Sequence, residues 1–315
     1  MITQDHINEA RAIIKGKVHR TPLAPATSIG QQFGAQLYFK CENLQRTGSF
    51  KPRGALNKIA HLSAAEKARG LIAVSAGNHA QGVAYAAQRE GLKATIVMPE
   101  GSPQAKVDAT RGYGAEVIVT GTIATIFDKA NELQREHGYT FVHPFDDSHV
   151  IAGQATVGME ILEDLPDVEV VAVQVGGGGL LSGIAAAIKL NKPSVRVIGV
   201  ESASGPALQI GIKEGKSVRI NRAPTIAEGM GAPFTGELNI QFAKQFVDEF
   251  VTVDDEDIKQ AMRWILQRSK MLTEGAGAGG AAAFLSGKAK VKAGAKVVTI
   301  LSGGNIDFER LKGII

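Results

Sequence analysis

The chain has 315 residues, enough to bury a large core and near the size at which one core divides into two. A formal charge of +4, spread over scattered basic residues, argues against a nucleic-acid tail and against a polybasic membrane anchor. The single cysteine, Cys41, excludes an intrachain disulfide and a cysteine-based zinc cluster; no apolar stretch reaches the roughly 18–20 residues that span a bilayer, no secretory pattern opens the chain, and a cytoplasmic protein is expected.

In chain order, the first predicted element of note is a helix that begins with Pro52 and runs through Ala55, Leu56 and Ile59. It leaves Lys51 at the positive end of the helix dipole, with Arg53 close by. Both effects lower the amine's pKa and favour its neutral, nucleophilic form; an ordinary exposed lysine is the competing reading. Short β-branched runs then predict strands at 71–75, 94–98, 116–120, 140–143, 170–175, 195–200, 250–253 and 296–301. Several are almost wholly apolar, which suits parallel strands covered on both faces. Between the last two, Ile258, Ala261, Met262, Ile265 and Leu266 mark one face of a helix, capped by Asp254-Asp255-Glu256-Asp257. Trp264 is assigned to the core. The alternation implies an α/β fold with a mostly parallel sheet.

Ligands of open α/β sheets bind beyond the carboxyl ends of the strands. The segments found there are Ala76-Gly77-Asn78-His79, Gly176-Gly177-Gly178-Gly179, Glu201 and Ser302-Gly303-Gly304-Asn305. The glycine-containing ones are expected to face one cleft. The run Gly176, Gly177, Gly178 and Gly179 lies between a buried strand and an apolar helix starting at Leu180. So many glycines in succession cost conformational entropy at every position, which favours a phosphate cradle at a helix start over a simple tight turn. The dinucleotide pattern fails, because its last glycine falls on Leu181 or Ser182, and no P-loop Gly-Lys-Ser/Thr follows. Glu201, where a ribose-binding acid would stand, keeps a nicotinamide enzyme as a second reading; a small phosphorylated cofactor fits better. No His-Glu-x-x-His, EF-hand or Gly-x-Ser-x-Gly motif occurs, and no metal site is expected. His79 is read as either an acid–base group or a packing residue.

Taken together, Thr47-Gly48-Ser49-Phe50-Lys51-Pro52-Arg53-Gly54-Ala55, Ser75-Ala76-Gly77-Asn78-His79-Ala80-Gln81-Gly82, His143-Pro144-Phe145-Asp146-Asp147, Ile151-Ala152-Gly153-Gln154, Gly176 to Leu180 and Leu301-Ser302-Gly303-Gly304-Asn305 resemble the fold-type II pyridoxal-phosphate enzymes. Within that class they look like the threonine (serine) dehydratase and serine racemase branch, above all the short catabolic dehydratases. The resemblance implies two open, twisted, mostly parallel sheets flanked by helices. It also implies a large cofactor domain (1–51 and 147–315) and a small mobile domain (52–146). It makes Lys51 the Schiff-base lysine and the catalytic residue, with Phe50 beside the cofactor pyridoxal 5'-phosphate. Asn78 would meet the ring's phenolic oxygen. Gly176, Gly177, Gly178, Gly179 and Leu180 would hold the phosphate, and Ser302 the pyridine nitrogen. Ser75, Ala76, Gly77, Asn78 and His79 would receive the substrate, and Glu274 would line the pocket.

The implied reaction is dehydration and deamination of L-threonine or L-serine to a 2-oxo acid and ammonia, by a homodimer or homotetramer. Racemases of this branch carry serine at the position of Ala76, which cannot donate a proton, so dehydratase outranks racemase. A non-catalytic phosphate-ligand binding protein is the reading from another class, and it would have no use for Lys51. The racemase-like metal site near Glu201 would need a carboxylate close to Ala207, so no metal is expected there. Glu228-Gly229 replaces an expected Asp-Gly and has no interpretation from the sequence.

Overall fold

The computed structural model describes residues 1–122 and 125–315. The chain forms ten strands there in two sheets. Strands β1 (Leu23–Pro25), β2 (Gln36–Lys40), β7 (Val170–Gln174), β8 (Arg196–Ser202), β9 (Glu249–Val253) and β10 (Lys296–Ile300) make a six-stranded sheet in the order β1-β2-β10-β7-β8-β9. Only the β1–β2 pair is antiparallel. Strands β3 (Leu71–Val74), β4 (Ala94–Met98), β5 (Glu116–Val119) and β6 (Thr140–Phe141) form an all-parallel sheet, β5-β4-β3-β6. The expected α/β class with two mostly parallel sheets is therefore present.

Every residue of β3, β4 and β7 is buried, as their apolar sequences require for strands covered on both faces. Helices Ser148–Asp164 and Gly179–Asn191 cover one face of the larger sheet, and Asp255–Trp264 with Gly275–Leu285 cover the other. The first pair sits so close that a Cβ on Gly183 would lie 2.6 Å from the Ala155 nitrogen. The acidic cluster caps as expected: Asp254 and Asp257 exchange side-chain-to-backbone bonds in a capping box. Trp264 is half-buried, with Arg268 stacked over it, rather than a full core residue. Among the described residues no helix is long and apolar enough to cross a membrane.

Two strands were not expected. β1 is short and holds Pro25, and β2 ends in Lys40, a fully buried lysine whose ammonium meets Glu160 at 2.6 Å and the Thr21 carbonyl. A second correction concerns Glu201. The strand expected over 195–200 continues to Ser202, so Glu201 lies inside β8, in register with Thr252. It is not part of a loop beyond the strand.

Candidate active site

Lys51 is the first residue of the helix Lys51–Ala60, with Phe50 at the N-cap; Pro52 is its second residue, not its first. The turn before it is tight: Thr47 and Gly48 both have positive φ, 61° and 68°. The lysine Nζ donates to the Pro144 carbonyl at 2.9 Å and stands 5.1 Å from the centre of the Phe50 ring. Helix Asn78–Arg89 approaches it so closely that a Cβ on Gly82 would lie 2.7 Å from the Lys51 Cβ. Burial pulls the amine's pKa down from 10.5 to about 8, while Glu274 acts in the opposite sense.

The expected direction is right and one expected cause is wrong. Arg53 does not act on Lys51; its guanidinium is fully buried and turned to Glu42 (2.8 and 2.9 Å) and Glu160 (2.7 and 3.0 Å). Glu160 lies 107 residues away and Glu42 11 residues away across a turn, so neither stands at a spacing that marks a pair in the sequence.

A cavity of about 860 Å³ opens at the carboxyl ends of β3, β7 and β10. Its wall includes Phe50, Lys51, Ser75, Ala76, Gly77, Asn78, His79, Gly176, Gly177, Gly178, Gly179, Leu180, Ser302 and Glu274, so all the expected site residues come together. Glu201 does not. Its carboxylate accepts the N–H groups of Leu208 (2.8 Å) and Gln209 (2.9 Å), at the start of helix Ala207–Glu214.

The glycine loop owes its shape to close approaches. Gly178 has φ +107°, which side chains rarely adopt, and it opens the helix Gly179–Asn191. A Cβ on Gly177 would lie 2.2 Å from the Phe145 ring, and one on Gly176 would lie 2.2 Å from the Gly229 oxygen. Among the described residues the N–H groups of Gly176, Gly177 and Gly178 donate to no protein acceptor. Unpaired donors at the positive end of a helix make an anion cradle.

Asn78 and His79 are the first residues of their helix rather than loop residues. Asn78 donates from Nδ2 to Glu274 Oε1 at 2.6 Å and accepts on Oδ1 from Asn305 Nδ2 at 2.8 Å. Glu274 is half-buried, and burial raises its carboxyl from 4.5 to about 7. The surroundings of His79 favour packing. Its Nε2 lies 2.9 Å from the Val142 carbonyl and burial lowers its pKa to about 3, so the neutral ring donates to that carbonyl. His143 is likewise held neutral by burial, near 4, with Nδ1 accepting the Asp146 N–H at 2.7 Å.

Sequence reasoning overlooked several wall residues. Gln154 and Gln174 line the cavity, and each has a buried side-chain oxygen without a hydrogen-bond partner. Asn305, behind the wall and bonded to Asn78, had no assigned role. Glu228 gains one: it meets Lys106 Nζ at 2.9 Å and also pairs with Arg310, tying the helix Gln104–Gly112 to the C-terminal helix Phe308–Lys312. No local signal marks such a pair, since its members are brought together only by the fold.

Comparisons with known proteins show what the chain is similar to. A family model described as "Pyridoxal-phosphate dependent enzyme" matches residues 14–303. An L-threonine ammonia-lyase of Thermotoga maritima is 50% identical over 319 residues, covering 100% of this chain and 78% of the relative. Among solved structures, the processed form of threonine deaminase isoform 2 from Solanum lycopersicum superposes with a TM-score of 0.91 at 35% identity, covering 99% of this chain and 93% of that one. Maize serine racemase superposes equally well, with a TM-score of 0.91 at 37% identity, covering 98% of this chain and 95% of its own.

Proposed function

The chain belongs to the pyridoxal-phosphate dependent enzyme family, and from that premise we propose that it dehydrates and deaminates L-threonine, and also L-serine, yielding the 2-oxo acid and ammonia. The observation that carries the proposal is 50% identity along the whole chain with an L-threonine ammonia-lyase. The cavity's chemistry fits the cofactor. Among the described residues it combines glycine N–H groups without protein acceptors, a Ser302 hydroxyl without a protein partner, and a lysine with a pKa near 8.

In this reading the N–H groups of Gly176 to Leu180 hold the phosphate, Phe50 packs beside the ring, Ser302 meets the pyridine nitrogen and Asn78 donates to the ring oxygen. When bound, pyridoxal phosphate supplies a conjugated ring that accepts the electron pair left when a proton leaves the substrate α-carbon. Lys51 would hold the cofactor, and its neutral amine would be the base that takes the α-proton. Its lowered pKa matters here: at pH 7 about a tenth of the amine is neutral, against roughly 0.03% for a lysine of ordinary pKa. The substrate carboxylate lies against Ser75, Ala76, Gly77 and the first turn of helix Asn78–Arg89, where unpaired N–H groups favour an anion. The β-hydroxyl takes up a proton and leaves as water; the released enamine tautomerises to an imine, and one water adds to it to give the 2-oxo acid and ammonia, so that no water is gained or lost overall.

The His79 side chain has no direct part, because its ring proton is committed to Val142. We read residues 52–146 as a small domain that closes over the substrate and excludes water, and 1–51 with 147–315 as the large one. The four-stranded sheet, drawn only from residues 71–141, supports that division. Cytoplasmic location and a dimeric or tetrameric state belong to the same proposal.

Ala76 on the cavity wall favours the lyase over a racemase, since it has no proton to offer on a second face of the substrate. The test is 2-oxo acid release from L-threonine and L-serine with pyridoxal phosphate supplied, with Lys51→Ala alongside. Release by the parent and not the variant is expected. D-amino acid formation without release would point to the racemase.

A further inference from the structure

Asn78 sits on the cavity wall as one link in a chain of side-chain amides. At one end the Thr47 carbonyl accepts from Asn305 Nδ2 at 2.7 Å. The same nitrogen donates to Asn78 Oδ1 at 2.8 Å, and Asn78 Nδ2 donates to Glu274 Oε1 at 2.6 Å. Thr47 O has no proton to give, and at the other end Glu274 Oε1 is the atom that accepts the Asn78 N–H. Between two such acceptors, the two amides can satisfy one another in only one orientation. Asn305 must turn its nitrogen to Thr47, so it meets Asn78 with a donor, and Asn78 must then offer its own nitrogen to Glu274. The second hydrogen on Asn78 Nδ2 has no acceptor among the described residues, on a residue that lines the cavity.

We propose that Glu274 and Asn305 are positioning residues that fix the Asn78 amide with a free N–H for an anionic oxygen in the cavity. The inference rests on the reading that the cavity holds pyridoxal phosphate, whose ring oxygen is the anion in question. A flipped Asn78 would set its oxygen against Glu274 Oε1 and its nitrogen against Asn305 Nδ2, replacing two hydrogen bonds with two like-polarity contacts. The surrounding backbone enforces the arrangement. Thr47 is held at positive φ only four residues before Lys51, so the turn that delivers the lysine also anchors the amide chain. Gly303 closes the other side, where a Cβ would lie 2.7 Å from Glu274 Oε1 and 3.0 Å from Asn78 Nδ2.

Glu274 also carries charge near Lys51, Lys106 and Glu228, so an electrostatic role must be separated from an accepting one. Gln at that position keeps an acceptor and removes the charge; Ala removes both. Asp at 305 places an acceptor where Thr47 O and Asn78 Oδ1 both require a donor.

The experiment titrates apoprotein with pyridoxal phosphate, following the visible band, and then titrates that band with pH in the parent, Asn305→Asp, Glu274→Ala and Glu274→Gln. Matching far-UV circular dichroism controls for folding, and the Glu274 pair stands by itself if Asn305→Asp does not fold. Asn305→Asp and Glu274→Ala should weaken cofactor binding roughly tenfold or more and move the band's titration, because an anionic oxygen has lost its donor. Glu274→Gln should bind within about twofold of the parent, on the same hydrogen-bond argument. Parent-like affinity and titration in both disrupting variants would overturn the inference, as would Glu274→Gln behaving like Glu274→Ala. A parent that takes up no pyridoxal phosphate would overturn the reading of the cavity as well, which separates the two failures.

Discussion

Replacing Arg53 with methionine should destabilise the protein by about 3–5 kcal/mol. Its guanidinium is fully buried and makes paired bonds to Glu42 and Glu160, with a further one to Thr156 at 3.1 Å. At 2.8 Å and an effective dielectric constant of about 20, one such charge pair attracts by about 6 kcal/mol, much of it cancelled by the cost of desolvating the ions. The net loss arises mainly from what is left behind. Glu160 keeps Lys40, but Glu42 is wholly buried and among the described residues would retain only the Thr21 hydroxyl as a side-chain partner. A double variant, Arg53→Met with Glu42→Met, should therefore recover more than half of the loss, because it removes the stranded charge. Urea unfolding followed by the single tryptophan, Trp264, and by circular dichroism gives the difference. A loss below about 1 kcal/mol for Arg53→Met, or a double variant at or beyond the sum of its singles, would refute the reasoning. Arg53 is two residues from Lys51 on one helix, so cofactor retention should fall in step with stability.

The pH behaviour follows from burial. The rate at which apoprotein attaches pyridoxal phosphate should rise about tenfold per pH unit and level off near pH 8, where Lys51 becomes neutral; a plateau only above pH 10 would contradict an enclosed amine. Glu274 titrates near 7 instead of 4.5, so the folded apoprotein binds a proton that the unfolded chain releases, and this contribution to stability is lost as pH rises from 4.5 through 7. Glu274→Gln should accordingly stabilise the apoprotein by about 1–3 kcal/mol at pH 8 and have little effect at pH 4, as thermal denaturation at the two pH values would reveal. Nitrogen NMR should find the His79 ring neutral and protonated on Nε2 down to pH 5; an imidazolium there would contradict its assignment as a donor to Val142. Gly178→Ala meets both the +107° backbone and the Asn239 Cβ at 2.6 Å, and should weaken cofactor affinity at least tenfold, whereas unchanged affinity would mean the loop is not the phosphate cradle.

Much of this protein was legible before folding was considered. Eight strands could be located from their apolar, β-branched runs, which in β3, β4 and β7 answer to burial on both faces, and their ends differ from expectation by one or two residues at most. β1 and β2 escaped because one contains proline and the other ends in a charge that only a distant carboxylate makes tolerable. The glycine loop was visible because a positive φ and sub-contact approaches leave glycine as the only solution. Glu201 was misplaced for the opposite reason: a strand's end is set by its neighbour, and pairing with β9 carries β8 two residues further.

The amino-acid sequence by itself determined the α/β class, the segments that lie beyond the strands, and the residue types assembled there, because periodicity, backbone conformation and motif order are local properties. Tertiary structure alone decided what each charged or polar side chain does. It directed Arg53 to Glu42 and Glu160, committed His79 to Val142, and placed Asn78 between Asn305 and Glu274, residues about two hundred positions away. Ionisation and hydrogen bonding depend on the solvent removed and the partner supplied, and both come from whatever the fold packs nearby.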